Sequence, residues 1–352
     1  MKNILITGGT GFIGSHTCIE LIKKGYKLTI LDSLVNSKKE TINLIKKILE
    51  KDISNVSENI ELKVGDIRDF NFVEKVFRSN KKNHQQFDGV IHFCGLKSVN
   101  DSIKNPIEYW DVNVLGTINL VKVMIKYECF SLVFSSSATV YGNPKKNPIK
   151  EDSNIYPIST YGLTKSATES FLFDIQKQYS CKLRIAILRY FNPVGAHDSG
   201  LIGEWPLGTP NNIFPLLNYA GIGINKTFQI YGNDWPTKDG TCIRDYVHVM
   251  DIATGHVSAL NYLFSNEAQV LTLNLGTGKG TSVLELVKTF QIVNKVRFKI
   301  DFIERREGDI VEAVADNLLA KEKLNWQPKK SIQDMCRDGY KWQKNLLLKK
   351  EN

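Results

Sequence analysis

Three glycines near the beginning of the chain constrain its fold more than any other feature. Gly8, Gly11 and Gly14 form a G-x-x-G-x-x-G pattern that directly follows an apolar run, residues 3–7, and opens a stretch with helical periodicity. Glycines at these places let the backbone turn tightly and approach a pyrophosphate, whose charge then faces the N-terminus of the helix. Such turns are common, so the pattern needs support from its surroundings before it indicates a dinucleotide site.

That support comes from the ends of the next apolar runs. Asp32 closes the second run, eighteen residues past Gly14, where a carboxylate can bond both ribose hydroxyls of NAD and repel the extra phosphate of NADP. Asp66 and Ile67 follow the third run, and the segment 93–95 follows the fourth. These positions are where the adenine and the inner ribose would lie along the edge of a parallel sheet. The sequence therefore predicts NAD as the cofactor.

Residues 1 to about 190 alternate short apolar runs with longer helix-period stretches, which indicates βαβ units and a parallel sheet. The predicted class is α/β, a doubly wound (Rossmann) sheet with a smaller mixed α/β substrate domain. We expect the NAD domain to span 1–190, completed by about 248–275, and the substrate domain to comprise 191–247 and 276–350. The predicted strands are Asn3–Thr7, Lys27–Leu31, Ile60–Val64, Gly89–Phe93, Ser131–Phe134, Leu183–Leu188 and Leu271–Leu275, with a helix at Val249–Leu263.

One segment interrupts this alternation. Residues 36–59 are longer and richer in Lys and Asn than a minimal connection, with one predicted helix. We interpret them as a surface excursion that carries little chemistry.

Composition excludes several classes of protein. The chain has 352 residues, 42% of them hydrophobic, and no segment approaches the roughly eighteen unbroken apolar residues that a membrane span needs. The six cysteines show no C-x-x-C spacing, so neither a metal site nor a disulfide framework is predicted. The net charge of +9 is spread over helix-like surface segments, which favours a solvated face over a nucleic-acid partner. Met1 leads almost at once into the first strand, so we expect no signal peptide and a cytoplasmic location.

Two patterns that resemble ligand sites are assigned no such role. The run 276–281 is rich in glycine, but Gly280 stands where a phosphate loop needs a hydroxyl. His92 lies within the fourth predicted strand, where a hydrogen-bonded core residue is the better interpretation than a catalyst.

A tyrosine and a lysine four residues apart are the candidates for catalysis. The pattern Y-x-x-x-K occurs at Tyr161/Lys165, at Tyr141/Lys145 and at Tyr340/Lys344, so spacing alone does not choose among them. The pair at 141 includes a proline in a loop, and the pair at 340 lies in the terminal polar helix. Only Tyr161 and Lys165 open a helix after the fifth strand, with the polar cluster 135–137 upstream, and an i, i+4 spacing places both on one helix face.

The chemistry explains why these residue types belong together. Removing a proton from a sugar hydroxyl while hydride leaves its carbon requires a base that is deprotonated near neutrality. A free tyrosine has a pKa near 10, and bringing it toward 7 requires about 4 kcal/mol of preferential stabilisation of the phenolate. The ammonium of Lys165 and a positive nicotinamide ring would supply that, and Ser137 would hold the same sugar hydroxyl by a hydrogen bond.

Several ordered motifs resemble those of the extended short-chain dehydrogenase/reductase family and, within it, of the 4-epimerases that act on UDP-glucose and UDP-galactose. The resemblance covers nearly the whole chain except the stretch around 38–59. The motifs are Gly8–Gly14, Cys94–Val99, Ser135–Gly142, Tyr161–Lys165, Phe191–His197, Pro210–Ile213, Ile230–Val249 and Arg305–Asp309.

The resemblance implies a role for each matching position. Tyr161 is the expected base, Lys165 its partner on the nicotinamide ribose, and Ser137 the group that positions the hexose. The positions expected to contact NAD are Gly8, Gly11, Phe12, Ile13, Gly14, Asp32, Asn36, Ser37, Asp66, Ile67, Phe93, Gly95, Lys97, Asn113, Ser135, Tyr161, Lys165 and Tyr190. Those expected to contact the UDP-sugar are Lys97, Ser137, Tyr161, Phe191, Asn192, Asn212, Ile213, Gln229, Tyr231, Arg244, Arg306, Asp309 and Ala313.

The implied reaction is a reversible epimerisation at C4, through hydride transfer to bound NAD and a 4-keto sugar. In that family, enzymes restricted to the plain hexoses carry a bulky tyrosine where this chain has Ala313, so UDP-GlcNAc and UDP-GalNAc are expected as further substrates. The family also implies a homodimer, formed through the stretches 107–127 and 164–179, and a place in galactose metabolism.

Three alternatives compete with this interpretation. A 4,6-dehydratase needs an Asp-Glu pair where Ala138 and Thr139 stand, and those side chains cannot transfer the protons. Another nucleotide-sugar epimerase or a decarboxylase of the same family stays open. A non-catalytic NAD-binding regulator would be free to lose the catalytic pair and the arginines, all of which are present.

Overall fold

The computed structural model describes residues 1–82, 85–208, 210, 212–306 and 308–351. The motifs Pro210–Ile213 and Arg305–Asp309 each contain one residue, Asn211 and Glu307, that lies outside the described residues. Within the described ranges, no helix combines the length and the apolar character needed to cross a membrane.

The elements alternate through the first two-thirds of the chain. The strands are β1 Asn3–Thr7, β2 Lys27–Asp32, β3 Ile60–Val64, β4 Gly89–His92, β5 Ser131–Ser137, β6 Arg184–Tyr190, β7 Asn192–Val194, β8 Thr227–Tyr231, β9 Ile243–Arg244, β10 Tyr246–His248, β11 Val270–Leu275, β12 Thr281–Ser282, β13 Lys299–Ile303 and β14 Glu312–Ala313. The helices are α1 Phe12–Lys23, α2 Glu40–Leu49, α3 Phe70–Lys82, α4 Val99–Lys104, α5 Pro106–Trp110, α6 Gly116–Lys126, α7 Thr160–Gln178, α8 Ile213–Gly221, α9 Val249–Ser265, α10 Val283–Asn294, α11 Leu318–Leu324 and α12 Ile332–Glu351. Short 3-10 turns occupy Val56–Asn59 and Ala138–Tyr141, and a π-helical turn occupies Asp111–Leu115.

Seven parallel strands form one sheet in the order β11-β6-β5-β4-β1-β2-β3. The chain builds β1 to β3 in one direction and then returns to place β4 on the other side of β1. The strand order therefore reverses between β1 and β4, and ligands of such sheets bind in the crevice outside the carboxyl ends of the strands at this point. The predicted doubly wound α/β fold is confirmed.

The serine cluster lies inside β5 and not after it, as the predicted end at Phe134 would have placed it. Ser135, Ser136 and Ser137 continue the parallel pairing with residues 188–190 of β6. Apolar periodicity could not indicate this extension, because the added residues are polar and buried.

The prediction that residues 36–59 form a surface excursion is wrong for the helix within them, α2. Ile42, Ile45 and Leu49 of α2 are buried in the same apolar core as β1 and α1, and Val56 joins them. Their spacing places them on one face of α2, so this helix packs onto the sheet domain and brings residues 36–41 to the mouth of the crevice.

The later elements form three small sheets and a second apolar core. Strands β8 and β13 pair with each other, and α8, α10 and α12 pack Phe214, Phe290 and Met335 against them. Strand β9 lies between β12 and β14, which sets Arg244 opposite Ala313. The residues expected to hold the sugar nucleotide therefore lie in this part of the chain, next to the edge of the large sheet.

Candidate active site

The glycine-rich segment at the end of β1 and the start of α1 has no space for a side chain at Gly8 or Gly14. Gly8 has a φ of +72°, and a Cβ there would lie 2.8 Å from the backbone nitrogen of Cys94. A Cβ on Gly14 would lie 2.3 Å from the carbonyl oxygen of Gly8. Gly11 is the N-cap of α1 and offers no side-chain hydrogen bond to the amides of the first turn. The chemistry of this turn fits a pyrophosphate, because backbone N–H groups and the helix dipole attract an anion.

Asp32, the last residue of β2, is held by three donors. Its carboxylate accepts from the backbone nitrogens of Thr10 and Leu34, both at 3.0 Å, and from the hydroxyl of Ser37 at 2.9 Å. Asp32 is buried, and these bonds fix its orientation beside the glycine-rich turn. A carboxylate has about four acceptor sites, so one remains for a ribose hydroxyl. Asn36 is exposed next to Ser37.

Asp66 follows β3, as predicted, but it is already engaged. It accepts from the backbone nitrogen of Arg68 at 2.8 Å and from the guanidinium of Arg68 at 2.7 Å. The side-chain hydrogen bonds from Arg68 lower the pKa of Asp66. The neighbouring Ile67 is buried, in contact with the place where a Cβ on Gly116 would lie.

The serine at the end of β5 and the Tyr/Lys pair of α7 meet at the crevice. Ser159 caps α7 by accepting from the backbone nitrogen of Gly162 at 3.1 Å, which starts the helix one turn before Lys165. The ammonium of Lys165 donates to the carbonyl oxygen of Ser135 at 2.9 Å and lies 5.9 Å from the ring centre of Tyr161. The hydroxyl of Ser137 accepts from the backbone nitrogen and hydroxyl of Thr139, at 3.2 and 3.0 Å.

Lys165 also lies next to the loop that follows β4, where the cofactor is expected to bind. A Cβ on Gly95, just past β4, would lie 3.5 Å from the Lys165 ammonium and 3.0 Å from Oδ1 of Asn113. Asn113 sits in the π-helical turn, accepts from the backbone nitrogen of Leu96 at 2.8 Å and donates to its carbonyl oxygen at 3.1 Å. Asn113 therefore anchors the loop that follows β4 beside the catalytic lysine.

The other two Y-x-x-x-K patterns are occupied elsewhere. The hydroxyl of Tyr141 is buried and donates to Asn274 at 2.6 Å, and Tyr340 packs with Phe290 in the second core. Neither lies on α7.

Burial, and not the lysine, dominates the protonation of the catalytic tyrosine in the ligand-free chain. It raises the pKa of Tyr161 to about 12, with only a partial lowering from the hydrogen bond of Ser137. Burial lowers the pKa of Lys165 to about 8, against an opposing effect of Glu169. The prediction that Lys165 and a positive nicotinamide ring together bring the tyrosine toward neutrality stays a prediction, and burial is the effect that these two charges would have to overcome.

Two arginines face a shared carboxylate on the substrate side. Arg306 donates to Asp309 at 2.8 Å, and Arg244 lies 3.7 Å from the same oxygen. Arg244 also donates to the carbonyl oxygen of Ile310 at 2.8 Å, and Arg306 lies 5.3 Å from the ring centre of Tyr231. These contacts orient both guanidiniums, and each has further donors for the oxygens of a diphosphate.

The remaining predicted substrate positions lie on neighbouring elements. Asn212 is the N-cap of α8, before Ile213, and Gln229 lies on the exposed side of β8. Phe191 follows β6 in an apolar cluster that includes Ala138 and Ala313 at its edge, and Asn192 begins β7.

Sequence reasoning missed two polar residues of this region. Glu204 accepts from Lys97 at 2.8 Å and from Asn212 at 2.7 Å, so one carboxylate joins the two sides of the crevice. His256 of α9 contacts the hydroxyl of Ser135 at 3.1 Å, and its ring packs on Phe93 at 4.6 Å. Burial lowers the pKa of His256 to about 4, so it is neutral. No motif marks either residue: Glu204 lies in an irregular loop and His256 on an apolar helix.

The structure also explains why the run 276–281 is not a phosphate loop. The buried carboxylate of Asp245 accepts from the backbone nitrogens of Thr277 at 2.8 Å, Gly278 at 2.9 Å and Ala315 at 3.2 Å. His92 is a core residue as predicted, since its ring nitrogens contact the hydroxyls of Thr7 at 2.6 Å and Thr117 at 2.9 Å.

A doubly wound sheet, a glycine-rich turn and a Tyr-x-x-x-Lys helix with a serine upstream define an extended short-chain dehydrogenase/reductase. The chain matches the family profile described as GDP-mannose 4,6 dehydratase over residues 5–339. The bifunctional UDP-glucose 4-epimerase and UDP-xylose 4-epimerase 1 of Pisum sativum is 45% identical over 345 residues, which are 98% of this chain and 96% of that protein. The chain belongs to the UDP-glucose 4-epimerase family.

Solved structures agree with this assignment. A UDP-glucose-4-epimerase from Stenotrophomonas maltophila, with bound NAD and formylated UDP-arabinopyranose, superposes with a TM-score of 0.93 and 42% identity, covering 99% of this chain and 100% of that one. The Bifidobacterium longum UDP-glucose 4-epimerase, in complex with NAD+ and UDP, has a TM-score of 0.90 and 40% identity, with 98% of both chains covered.

Proposed function

We propose that this protein is an NAD-dependent isomerase that interconverts UDP-glucose and UDP-galactose by inverting C4. The observation that carries the proposal is the meeting of Tyr161, Ser137 and Lys165 at the carboxyl end of β5, next to the glycine-rich turn. The family to which the chain belongs adds to it, since those relatives are named for this reaction.

The cofactor residues fit NAD by their chemistry. The amides at the start of α1 suit a pyrophosphate, and the fixed carboxylate of Asp32 suits a free ribose hydroxyl and opposes a 2′-phosphate. When bound, oxidised NAD would supply a positively charged ring and a reversible hydride acceptor for C4 of the sugar.

The chain's own residues handle the proton. Tyr161 takes the proton of the C4 hydroxyl and gives it back in the second half of the reaction, while Ser137 holds that hydroxyl in place. Lys165 has two N–H donors beyond the one used on Ser135, and these are available for a ribose. Because burial holds the pKa of Tyr161 near 12, proton removal depends on positive charge next to the phenol.

The substrate side is suited to holding the nucleotide and leaving the sugar mobile. Arg244 and Arg306 are oriented by Asp309 toward a diphosphate, whereas the predicted sugar contacts, such as Ser137 and Asn192, are short polar side chains. A tightly held diphosphate with a loosely held hexose lets the 4-keto sugar turn over and present its other face. We also propose that residues 1–190 and about 248–275 bind NAD, and that the remaining residues bind the UDP-sugar.

A dehydratase, despite the description of the family profile, is disfavoured by the same site. Ala138 borders an apolar cluster, and the hydroxyl of Thr139 is donated to Ser137. Neither can act as the acid or base that elimination of water requires.

The proposed substrate range includes UDP-GlcNAc and UDP-GalNAc. Ala313 is held opposite Arg244 by the β9–β14 pairing, and its side chain ends in a methyl group at the edge of the cluster around Phe191. A small side chain at this point leaves room for an acetamido group beside the sugar.

The proposed assembly is a homodimer that works in the cytoplasm, in galactose metabolism. Ile103 of α4, Ile107 of α5 and Leu163 of α7 are exposed by 65%, 84% and 45%, and these helices contact one another. Burying this apolar face against a second copy would form the subunit interface. None of the six cysteines is in a disulfide, which suits a reducing compartment.

One assay tests the reaction. Purified protein is incubated with UDP-galactose without added reductant, and the sugar products are separated by chromatography. UDP-glucose accumulating to an equilibrium ratio, and lost in Tyr161→Phe, is the expected result. Absence of product from a protein that still holds NAD would refute the proposal.

A further inference from the structure

A small pocket at the start of α1 is lined by several separate parts of the chain. Its walls include Gly11 and Phe12 of the glycine-rich turn, Ser37 and Lys38 from the segment before α2, and Trp205 from the loop that follows β7. The glycine-rich turn binds the pyrophosphate in the proposed function, so the other two parts border the cofactor's path to solvent.

Two of these side chains touch across the pocket. The ammonium of Lys38 lies 3.8 Å from the ring centre of Trp205, within the range of a favourable cation–π contact. Lys38 is half-buried by this contact, whereas its neighbour Lys39 is exposed. The link therefore joins the segment before α2 to the loop after β7, and it depends on one lysine of an adjacent pair.

The loop that carries Trp205 is firmly supported from behind. Trp342 of α12 packs edge-on against Trp205 at 5.6 Å and donates its indole N–H to the carbonyl oxygen of Glu204 at 3.0 Å. Ile202 is buried in the core of the large sheet, and a Cβ on Gly203 would lie 2.4 Å from the ring of Trp342. These contacts fix the position of Trp205 independently of Lys38.

We propose that Lys38 and Trp205 form a clasp that retains NAD between turnovers. The inference rests on the proposed function, in which the cofactor is regenerated in each cycle and has no need to leave. A pyrophosphate on the turn at Gly11 would lie behind this contact, so the cofactor leaves only after the clasp opens. The clasp acts on the rate of release and takes no part in proton transfer at Tyr161.

The experiment measures release of the cofactor directly. Holoenzyme loaded with radiolabelled NAD is diluted into excess unlabelled NAD, and the label that stays with the protein is followed over time by rapid gel filtration. Trp205→Ala and Lys38→Ala should each release label about tenfold faster, the size of a partly desolvated cation–π contact together with the lost ring packing. Trp205→Phe keeps an aromatic face and should stay within about twofold of the wild type.

Lys39→Ala is the matched control, because it removes the same charge from the same segment without touching Trp205. Its release rate should equal that of the wild type, and all variants should epimerise UDP-galactose at the wild-type rate when NAD is saturating. Equal acceleration by Lys38→Ala and Lys39→Ala would show a general attraction of charge and overturn the clasp. So would an unchanged rate in Trp205→Ala, or a Trp205→Phe variant as fast as the alanine variant.

The outcomes separate this inference from the proposed function. A wild-type protein that retains no label but epimerises UDP-galactose with added NAD would overturn the clasp alone. Retained label without epimerisation would refute the proposed function and leave the clasp standing.

Discussion

Replacing Lys165 with methionine should stabilise the ligand-free protein while removing its activity. The Lys165 ammonium is buried, and burial lowers its pKa from 10.5 to about 8. This difference corresponds to about 3 kcal/mol by which folding disfavours the charged lysine. Methionine keeps an unbranched apolar stem but leaves the carbonyl oxygen of Ser135 without its donor, at a cost of about 1 kcal/mol. The expected net gain at neutral pH is about 2 kcal/mol in the free energy of unfolding.

The pH dependence identifies the cause. The unfolded chain keeps the Lys165 proton up to about pH 10.5, while the native chain releases it near pH 8. The unfolded state therefore binds more protons between these values, and the stability of the wild type rises with pH across this window. Lys165→Met lacks this proton, so its advantage should be full at neutral pH and vanish by about pH 10.

Urea unfolding of NAD-free protein at several pH values measures this difference, with linear extrapolation to water. Lys39→Met is the matched control, since Lys39 is exposed and its replacement should leave the pH profile unchanged. A methionine variant less stable than the wild type at neutral pH, or an advantage that is the same at every pH, would refute the reasoning.

Further substitutions test other parts of the site and its support. Tyr161→Phe should lower kcat for UDP-galactose by about 10²–10⁴-fold with little loss of bound NAD, measured by product chromatography and by NAD content; a normal kcat would exclude Tyr161 as the base. Ala313→Tyr should remove conversion of UDP-GalNAc while UDP-galactose is still converted, and equal loss of both would contradict the proposed sugar pocket. Arg189→Ala should destabilise the fold by about 3–5 kcal/mol in urea unfolding, because it leaves the buried Glu169 carboxylate without the guanidinium 2.6 Å away. A loss under 1 kcal/mol, roughly the value of an exposed pair, would contradict this reasoning. Ile107→Lys should yield monomers in sedimentation velocity if α5 lies in the dimer interface, and an unchanged dimer would place the interface elsewhere.

Local sequence patterns were sufficient to predict the sheet and the functional residues at its carboxyl edge. Buried parallel strands are short apolar runs, so their positions could be predicted within about three residues. Asp32 could be placed at the end of β2 because the apolar run stops there. Tyr161 and Lys165 could be chosen from three equal spacings because only their helix follows β5. The polar end of β5 was cut short, since Ser135 to Ser137 carry no apolar signal.

Other features depend on contacts that sequence spacing does not contain. Glu204 joins Lys97 to Asn212, residues that are 107 and 8 positions away, and it does so from a loop without periodicity. The burial of α2 escaped notice because lysines and asparagines are frequent in the whole segment 36–59, although the isoleucines of α2 lie on one face. The effect of burial on the pKa of Tyr161 could not be predicted from spacing, because desolvation is a property of the assembled fold.

The carboxylate of Asp245 has a consequence for selectivity among the anions of a cell. Its three backbone donors from Thr277, Gly278 and Ala315 form a cradle that would otherwise suit a free phosphate or the tail of a nucleoside triphosphate. The chain carries its own anion in that cradle, at an effective concentration that no diffusing competitor can match. A diffusing phosphate would have to displace this tethered carboxylate before it could bind, so we expect the run 276–281 to stay closed to anions.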